Sequence, residues 1–454
     1  MFWQRDDLMK ALKTKSLDDS WAQWALLEIE EDRQEFYLIQ SKSSRAELDQ
    51  SREVHNQVFK LRVYINKPDG RLGTAESPLF QKLDLATQLN ELEKKAQLGG
   101  EKKWHFPDEW GKSDRQPQKA FPPMVKDLAG CSFQIYQDLA KAINDSEKGD
   151  FNSAELFVVR EKRHRTLSTG FTNEVVDSRI YAEVCFSETD KQSGLSEEFL
   201  ITRWAAHPEQ IDFVRMCAES AEYAKASLKT EKPETGHYDV ILHSDVLTAL
   251  FHDVRSQLDA RQKYYQLPFL EKGKELIPGF KGDAFEMSLV PDRDFCFASA
   301  TYSGEGCLQN RMTLAKGNVI QHNPTSSQMS QYLDQPVTTV LGSIVVEPES
   351  MTDIETLRKS KGKVLEILQF SGLFTNEMDL TYSSEIRLAK LYDNDSGQVT
   401  YVKGGNLSGH FPSNFAQVKW AQPMIEENHE GYGGGGSSYV GPEYALVSEV
   451  SVSS

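Results

Sequence analysis

Alternation of apolar and polar residues dominates the first part of the chain, after a short segment with helical spacing. Residues 5–25 predict a helix. From 26 to 65 apolar residues return at nearly every second position and many are β-branched or aromatic, which predicts strands. The Lys-Pro-Asp-Gly sequence at 67–70 predicts a tight turn, because Pro fixes one φ angle and Gly accepts a positive one. Residues 79–97 then predict a second helix.

A second block repeats this order loosely. Residues 132–144 predict a helix, and segments 154–159, 165–170 and 178–186 predict strands. Residues 209–228 predict a further helix, whose apolar and alanine positions form one stripe. Such a stripe requires close packing against another element, and a sheet made of the preceding strands is the natural partner.

The pattern changes after Lys232–Gly236, a Pro- and Gly-containing segment that predicts a domain boundary. One helix follows early, a second is predicted over 353–368 with Thr352 as its N-cap, and the rest consists of short strand-like pieces divided by turn residues. The prediction is an α+β fold with two domains. Residues 1–236 form a strand-and-helix domain, and residues 237–454 form a mostly antiparallel, barrel-like β domain with few helices.

Composition narrows the function classes. The 454 residues carry a net charge of -17, which argues against direct nucleic-acid binding, and the basic run at 161–165 is expected to be a solvated strand end. Five cysteines without a CxxC pair predict free thiols in a reducing compartment. The sequence has neither an apolar stretch of membrane-spanning length nor a signal-peptide pattern at its start, so we expect a cytoplasmic protein with no membrane contact.

An ordered set of short motifs occupies the second half of the chain. In chain order they are Asp239-Val-Ile-Leu242, a helix from Ser244, Ser303-Gly-Glu-Gly306, Leu314-Ala-Lys-Gly-Asn-Val319, Gly404-Gly-Asn-Leu-Ser-Gly409 and the glycines at 433–436. This order resembles the TldD/PmbA family, and in particular its PmbA (TldE) side. The family's acidic turn is usually Asp-x-Glu-Gly, of which Glu305 and Gly306 match.

Catalytic members of that family carry His-Glu-x-x-x-His on the helix after the first of these strands. Both histidines bind Zn²⁺ from one helix face, and the Glu acts as general base on the metal-bound water. The matching residues here are His252, Asp253 and Gln257. An amide is a poor zinc ligand, so the positions are interpreted as a degenerate metal helix. The helical period places His252 on the polar side, opposite an apolar stripe running from Leu247 to Leu258.

The resemblance therefore implies a non-catalytic subunit of a TldD-type zinc metallopeptidase acting on unfolded or modified peptides. No catalytic residue and no cofactor are expected in this chain. It is expected to form a dimer with a TldD-like partner, which would hold the zinc, or with a second copy of itself. Glu305, Gly306 and Gly409 are candidates for contacts with peptide or partner. Two alternatives stay open: a self-contained metallopeptidase homodimer with a divergent site, using His252 and His429, and a regulatory protein-binding module, as the family's label of gyrase modulator suggests.

Overall fold

The computed structural model describes residues 3–17, 21–42, 45–360, 362–430 and 436–454. Within these ranges the helices are α1 Arg5–Ser16, α2 Leu85–Leu98, α3 Pro122–Lys126, α4 Leu128–Asp145, α5 Phe213–Ser227, α6 Ser244–Leu258, α7 Ala260–Tyr264, α8 Ser327–Leu333, α9 Ile354–Arg358 and α10 Phe411–Asn414. The strands are β1 Trp21–Ile39, β2 Glu47–Asn66, β3 Leu72–Leu79, β4 Asp150–Leu167, β5 Thr172–Thr189, β6 Ser196–Ala205, β7 Thr230–Glu231, β8 Gly236–His243, β9 Phe285–Val290, β10 Met312–Lys316, β11 Val319–Ile320, β12 Ser343–Pro348, β13 Lys363–Phe370, β14 Phe374–Asn376, β15 Thr381–Asp393, β16 Gln398–Val402, β17 Asn406–His410, β18 Lys419–Glu430 and β19 Gly436–Ser453.

The first sheet is antiparallel throughout and has the order β3-β2-β1-β4-β5-β6. Its two central strands, β1 and β4, are the first strands of two similar units, each a helix, three strands and a helix in chain order. Helix α2 packs on the outer strands of the first unit, and α5 packs on β5 and β6 of the second. The loose repeat predicted from the sequence is therefore present in the order of the elements.

The second sheet contains a closed ring of strand pairings. Strand β19 pairs with β8, β8 with β13, β13 with β15, β15 with β17, and β17 returns to β19. Closure leaves these strands without an unpaired long edge and encloses a core. Most pairings in this sheet are antiparallel, and the parallel ones join β12 to β19, β13 to β8, and β16 to β7. The predicted α+β fold with a barrel-like second part is confirmed, with 24% helix and 43% strand.

The two sheets share hydrophobic core. Leu388 of β15 is fully buried among residues of the first sheet and its helices. A second shared cluster joins Phe106 and Phe171 to Met329 and Tyr332. The last strand of the first sheet ends at Ala205, and the first strand of the second sheet begins at Thr230. The domain boundary at residue 236 stays a prediction.

The bounds of three predicted helices differ from the structure by more than four residues. The prediction over 353–368 is wrong beyond Arg358: the N-cap is Asp353, which accepts from the Thr356 backbone N–H, and 363–370 is the barrel strand β13. A short apolar run such as 364–368 suits a buried strand as well as a helix turn, so periodicity could not separate them. Likewise α1 ends at Ser16, before β1, and the segment 79–84 precedes α2 rather than belonging to it.

Two predictions from composition can be compared with the structure. All five cysteines, Cys131, Cys185, Cys217, Cys296 and Cys307, are free thiols, as predicted. Among the described residues, no helix combines the length and the apolar character needed to cross a membrane. The Gly-rich loop predicted at 433–436 lies outside the described residues except for Gly436, which begins β19.

Candidate functional site

Helix α6 follows β8 directly and packs into the barrel core. Its predicted apolar stripe is confirmed, since five side chains are at most 2% exposed: Leu247, Leu250, Phe251, Val254 and Leu258. Phe251 lies among aromatic rings from four other segments, those of Phe285, Phe411, Trp420 and Tyr439. This packing fixes the rotation of α6 and therefore the direction in which each polar side chain leaves it.

The three degenerate metal positions point to three different places. His252 is exposed and lines a cavity between the two sheets. Gln257 is 5% exposed, and its Nε2 donates to the backbone carbonyls of Glu377 (2.8 Å) and Met378 (3.0 Å). The side chains of His252 and Gln257 leave α6 in different directions, because five residues of regular helix advance the direction by about 500°, or about 140° after a full turn.

Asp253 leaves α6 between these two directions, beside β14. Its Oδ2 is buried and has no hydrogen-bond partner among the described residues. Burial raises the pKa of its carboxyl, against the opposing effect of a hydrogen bond with Thr375. The His252 side chain is accessible to solvent inside the cavity, but desolvation by the cavity walls and the nearby Arg255 cation lower the pKa of its imidazole, so the ring is neutral at pH 7.

The cavity that His252 lines lies between the two sheets, and we call it the inter-sheet cavity. Its volume is about 340 Å³. Strands of the first sheet form one wall, and α6 with loops of the second sheet forms the other. Such junctions between structural units are common places for ligand sites. Its lining includes Leu27, Lys119, Arg163, Arg165, Asn173, Val175, His252, Arg255, Leu289 and Ile344, together with segments 297–304, 340–342 and 436–438.

Buried ion pairs hold the basic wall of the inter-sheet cavity. Lys119 pairs with Asp177 (Nζ to Oδ1, 3.1 Å) and also donates to the backbone carbonyls of Phe297 (2.8 Å) and Ser299 (2.7 Å). Arg163 contacts the other oxygen of Asp177. Burial alone would raise the pKa of Asp177, but the charges of Lys119 and Arg163 hold it below its usual value. The loop that carries residues 297–299 is thereby tied to the first sheet.

The same network continues to the second sheet. Arg163 also pairs with Glu161 (3.1 Å), which pairs with Arg179 (3.1 Å), and Arg179 reaches Glu430 of β18 (2.6 Å). The basic run at 161–165 is therefore not a solvated strand end, because residues 161–165 lie inside β4 and three of its side chains face this junction. The charged residues at every second position of β4 could have indicated a row of ion pairs. The residues that complete this network, at positions 119, 177, 179 and 430, are distant in sequence, so the sequence did not identify them.

His429 lies in a second, more polar cleft. Its Nε2 is 3.4 Å from Glu427, and the cleft is also lined by His243, Glu366 and Arg358. His252 lines the inter-sheet cavity instead, so the two histidines of the weak alternative metal site occupy separate clefts. Among the described residues, only one group of three or more His, Cys, Asp or Glu donors has its ligand atoms within 4.8 Å, and it consists of Glu30, Asp32 and His55.

Glu305 and Gly306 form a turn that packs the two sheets together. The Oε2 of Glu305 accepts from the backbone N–H of Ser327 (2.6 Å) at the start of α8. Gly306 has φ of +83°, and a Cβ at this position would lie 3.3 Å from both Leu167 and Phe171 at the end of the β4–β5 hairpin. The turn therefore needs glycine for both conformation and space.

Gly409 of β17 lies against the aromatic ring of Tyr382 in the neighbouring strand β15. A Cβ here would come within 2.2 Å of Tyr382 Cζ and 2.5 Å of Asn414 Oδ1. The Tyr382 hydroxyl donates to Asn414 Oδ1 (3.1 Å). Close packing accounts for this glycine, and a contact with peptide or partner stays a prediction.

Sequence comparison and structure comparison give different results. No protein-family model matches the sequence, and no curated protein matches it significantly. Three solved structures match nearly the whole chain. A protein described as a candidate modulator of DNA gyrase from Bacteroides thetaiotaomicron has a TM-score of 0.75 and 13% identity, with 98% of each chain covered. One of the same description from Thermotoga maritima has a TM-score of 0.74 and 15% identity, covering 99% of this chain and 100% of that one. TldE from Thermococcus kodakarensis has a TM-score of 0.70 and 12% identity, covering 98% and 100%.

Proposed function

We propose, on the premise that this chain has the TldD/PmbA fold its motifs predicted and these structures share, that it is a non-catalytic subunit of a zinc metallopeptidase. The catalytic zinc would be held by a TldD-like partner chain, and the assembly would act on unfolded or modified peptides. This chain would supply scaffold and peptide-binding surface.

The position of Gln257 carries the proposal. A metal site on α6 would need a donor here that faces the same ion as His252. Instead the Gln257 amide is buried and both of its N–H groups are held by backbone carbonyls of the segment after β14. The residue in the metal-ligand position thus makes its hydrogen bonds within the fold.

The position of Asp253 relative to His252 supports the same proposal. Asp253 is one methylene shorter than the Glu of the catalytic motif, and it lies beside Thr375 with a raised carboxyl pKa rather than beside His252 in the inter-sheet cavity. A general base must reach the water that it activates. The residues present therefore do not fit a zinc site of the family type, and no hydrolytic step is assigned to this chain.

The decisive experiment is co-expression of the tagged chain with a His-Glu-x-x-x-His protein encoded beside it. We expect the two to co-purify, and we expect the pair to degrade an unfolded peptide faster than the partner alone. Failure to co-purify, together with no effect on proteolysis, would remove the proposal. Pull-down of another protein without a peptidase would favour the regulatory alternative.

Elemental analysis tests the self-contained peptidase. We expect the purified chain to bind far less than one zinc per molecule. Stoichiometric zinc that is lost in His252→Ala would instead establish a divergent metal site.

A further inference from the structure

We propose that the inter-sheet cavity binds the terminal carboxylate of a peptide, and that Arg165 is the residue that receives it. This inference rests on the proposed function, because it names the part of a peptide that the cavity would recognise.

The cations of the wall are nearly all neutralised by ion pairs. Lys119, Arg163 and Arg179 face three carboxylates, those of Asp177, Glu161 and Glu430. Arg255 has Asp259 at 3.6 Å and donates to the backbone carbonyl of Val340. His252 is neutral at pH 7 for the reasons given above. These groups form a rigid wall with no net charge of their own.

Arg165 is the exception. Among the described residues no carboxylate lies within ion-pair distance of its guanidinium, and its side-chain hydrogen bond goes from Nη1 to the backbone carbonyl of Gly304 (3.1 Å). Burial lowers the pKa of this guanidinium, and the neighbouring cations Arg163 and Arg62 lower it further, against a smaller opposing effect of the Glu76 carboxylate. A half-buried guanidinium beside other cations is electrostatically unfavourable, and an anion in the cavity would relieve this cost.

A second observation comes from Ser299 on the opposite wall. This residue is 1% exposed and lines the cavity, yet its Oγ has no hydrogen-bond partner among the described residues. Buried hydroxyl groups in proteins normally have a partner. Ser299 is held in place through its carbonyl by Lys119, and its buried hydroxyl is an unused donor in the cavity wall.

The remaining lining decides which anion fits. One uncompensated guanidinium suits a singly charged carboxylate better than a phosphate dianion, and a guanidinium can hold both carboxylate oxygens with two N–H groups. The apolar side chains of Leu27, Val175, Leu289 and Ile344 offer surface for a hydrophobic side chain next to that carboxylate. A volume of about 340 Å³ is at the small end for ligand pockets, so it suits the end of a peptide rather than a long segment.

Calorimetry on the intact chain tests the inference with N-acetyl-Ala-Leu and its C-terminal amide. We expect the free acid to bind roughly tenfold to a hundredfold more tightly than the amide, the range for one charge-assisted hydrogen-bonded contact. Arg165→Gln should abolish this difference, and Arg165→Lys should keep part of it. Arg62→Gln is the matched control, since it removes a nearby cation that is already paired with Glu76 and should keep the preference.

The inference fails if acid and amide bind equally or not at all, or if Arg165→Gln retains the preference in a folded protein. It also fails if phenyl phosphate displaces the acid at a lower concentration than the acid itself needs. These results are separable from the proposed function, which is judged by co-purification with the zinc-binding chain. A subunit that co-purifies but ignores the carboxylate would overturn only the inference.

Discussion

At the scale of single residues, Gln257 joins α6 to the segment after β14. Truncating it in Gln257→Ala leaves the carbonyls of Glu377 and Met378 without their buried donor, so we expect a loss of about 1–3 kcal/mol in the free energy of unfolding. Urea denaturation measures it. His252→Ala on the same helix is the control and should change stability by less than about 0.5 kcal/mol, because that side chain is exposed. Equal effects from both variants would contradict the structural role.

Gly409 offers a second test at this scale. Gly409→Ala places a methyl group against Tyr382, which is 2% exposed, so we expect overpacking to destabilise the protein by about 1–3 kcal/mol. Gly372→Ala, where a Cβ would meet nothing within 4 Å, is the matched control. Chemical denaturation and near-ultraviolet circular dichroism are the measurements. An unchanged stability with altered peptide binding would instead favour the contact role predicted from the sequence.

At the scale of elements, Glu366 joins three parts of the barrel. From β13 it accepts from Arg358 of α9 (Nε, 2.8 Å) and from the Tyr392 hydroxyl of β15 (2.8 Å), and its Oε1 is 3.3 Å from His243 Nε2 at the end of β8. Burial alone would raise the pKa of this carboxyl, but the bonds and charges of His243 and Arg358 lower it to about 2. The ionised form is therefore the one that the fold favours.

The sign of the pH effect follows from that pKa. The unfolded chain takes up the proton near pH 4.5 and the folded chain only near pH 2. Stability is therefore full above about pH 4.5 and falls by ~3 kcal/mol as the pH drops towards 2. Glu366→Gln should lower stability at pH 7 by about 3–5 kcal/mol, because it leaves Arg358 without its buried partner, and should flatten this part of the acid profile. Urea titrations between pH 2 and 7 measure both.

Glu355→Gln is the control for this prediction. Glu355 also pairs with Arg358, but its side chain is 57% exposed, so we expect a change of less than about 1 kcal/mol and an acid profile like that of the unsubstituted chain. If both variants altered the profile alike, the dependence would come from Arg358 and not from the buried carboxylate.

At the scale of the whole molecule, the two sheets are coupled through shared core. Leu388→Ala removes a fully buried side chain of the barrel from a cluster that otherwise belongs to the first sheet and its helices. We expect the free energy of unfolding to fall by about 2–5 kcal/mol, and we expect both halves to unfold in one common transition. Trp420 is the only tryptophan after residue 236 in the sequence. Fluorine-labelled tryptophan spectra can therefore compare the denaturant concentration at which Trp420 unfolds with that of Trp24 in the first sheet.

The control for this coupling is Leu267→Ala. Leu267 is 42% exposed, and its truncation should move neither transition appreciably. If Leu388→Ala shifts the unfolding of Trp24 while Trp420 unfolds at its original denaturant concentration, the halves are independent and the shared core does not couple them.

The sequence by itself determined the elements whose signals are local. The apolar stripe of α6 and the long alternating strands can both be read along the chain, because burial imposes a period on neighbouring residues. The same reasoning failed at 363–370, where a short apolar run is buried inside the barrel and the choice between helix and strand depends on its neighbours in space.

Only the tertiary structure decided the candidate site. The inter-sheet cavity joins residues from Leu27 to Ser438, and the balance that leaves Arg165 without a carboxylate depends on pairs such as Lys119 with Asp177 and Arg179 with Glu430. Coulomb attraction and hydrogen bonding act over a few ångströms of space, whatever the separation along the chain. A charge in the sequence therefore shows which interactions a residue could make, and the fold determines which charge remains available to a ligand.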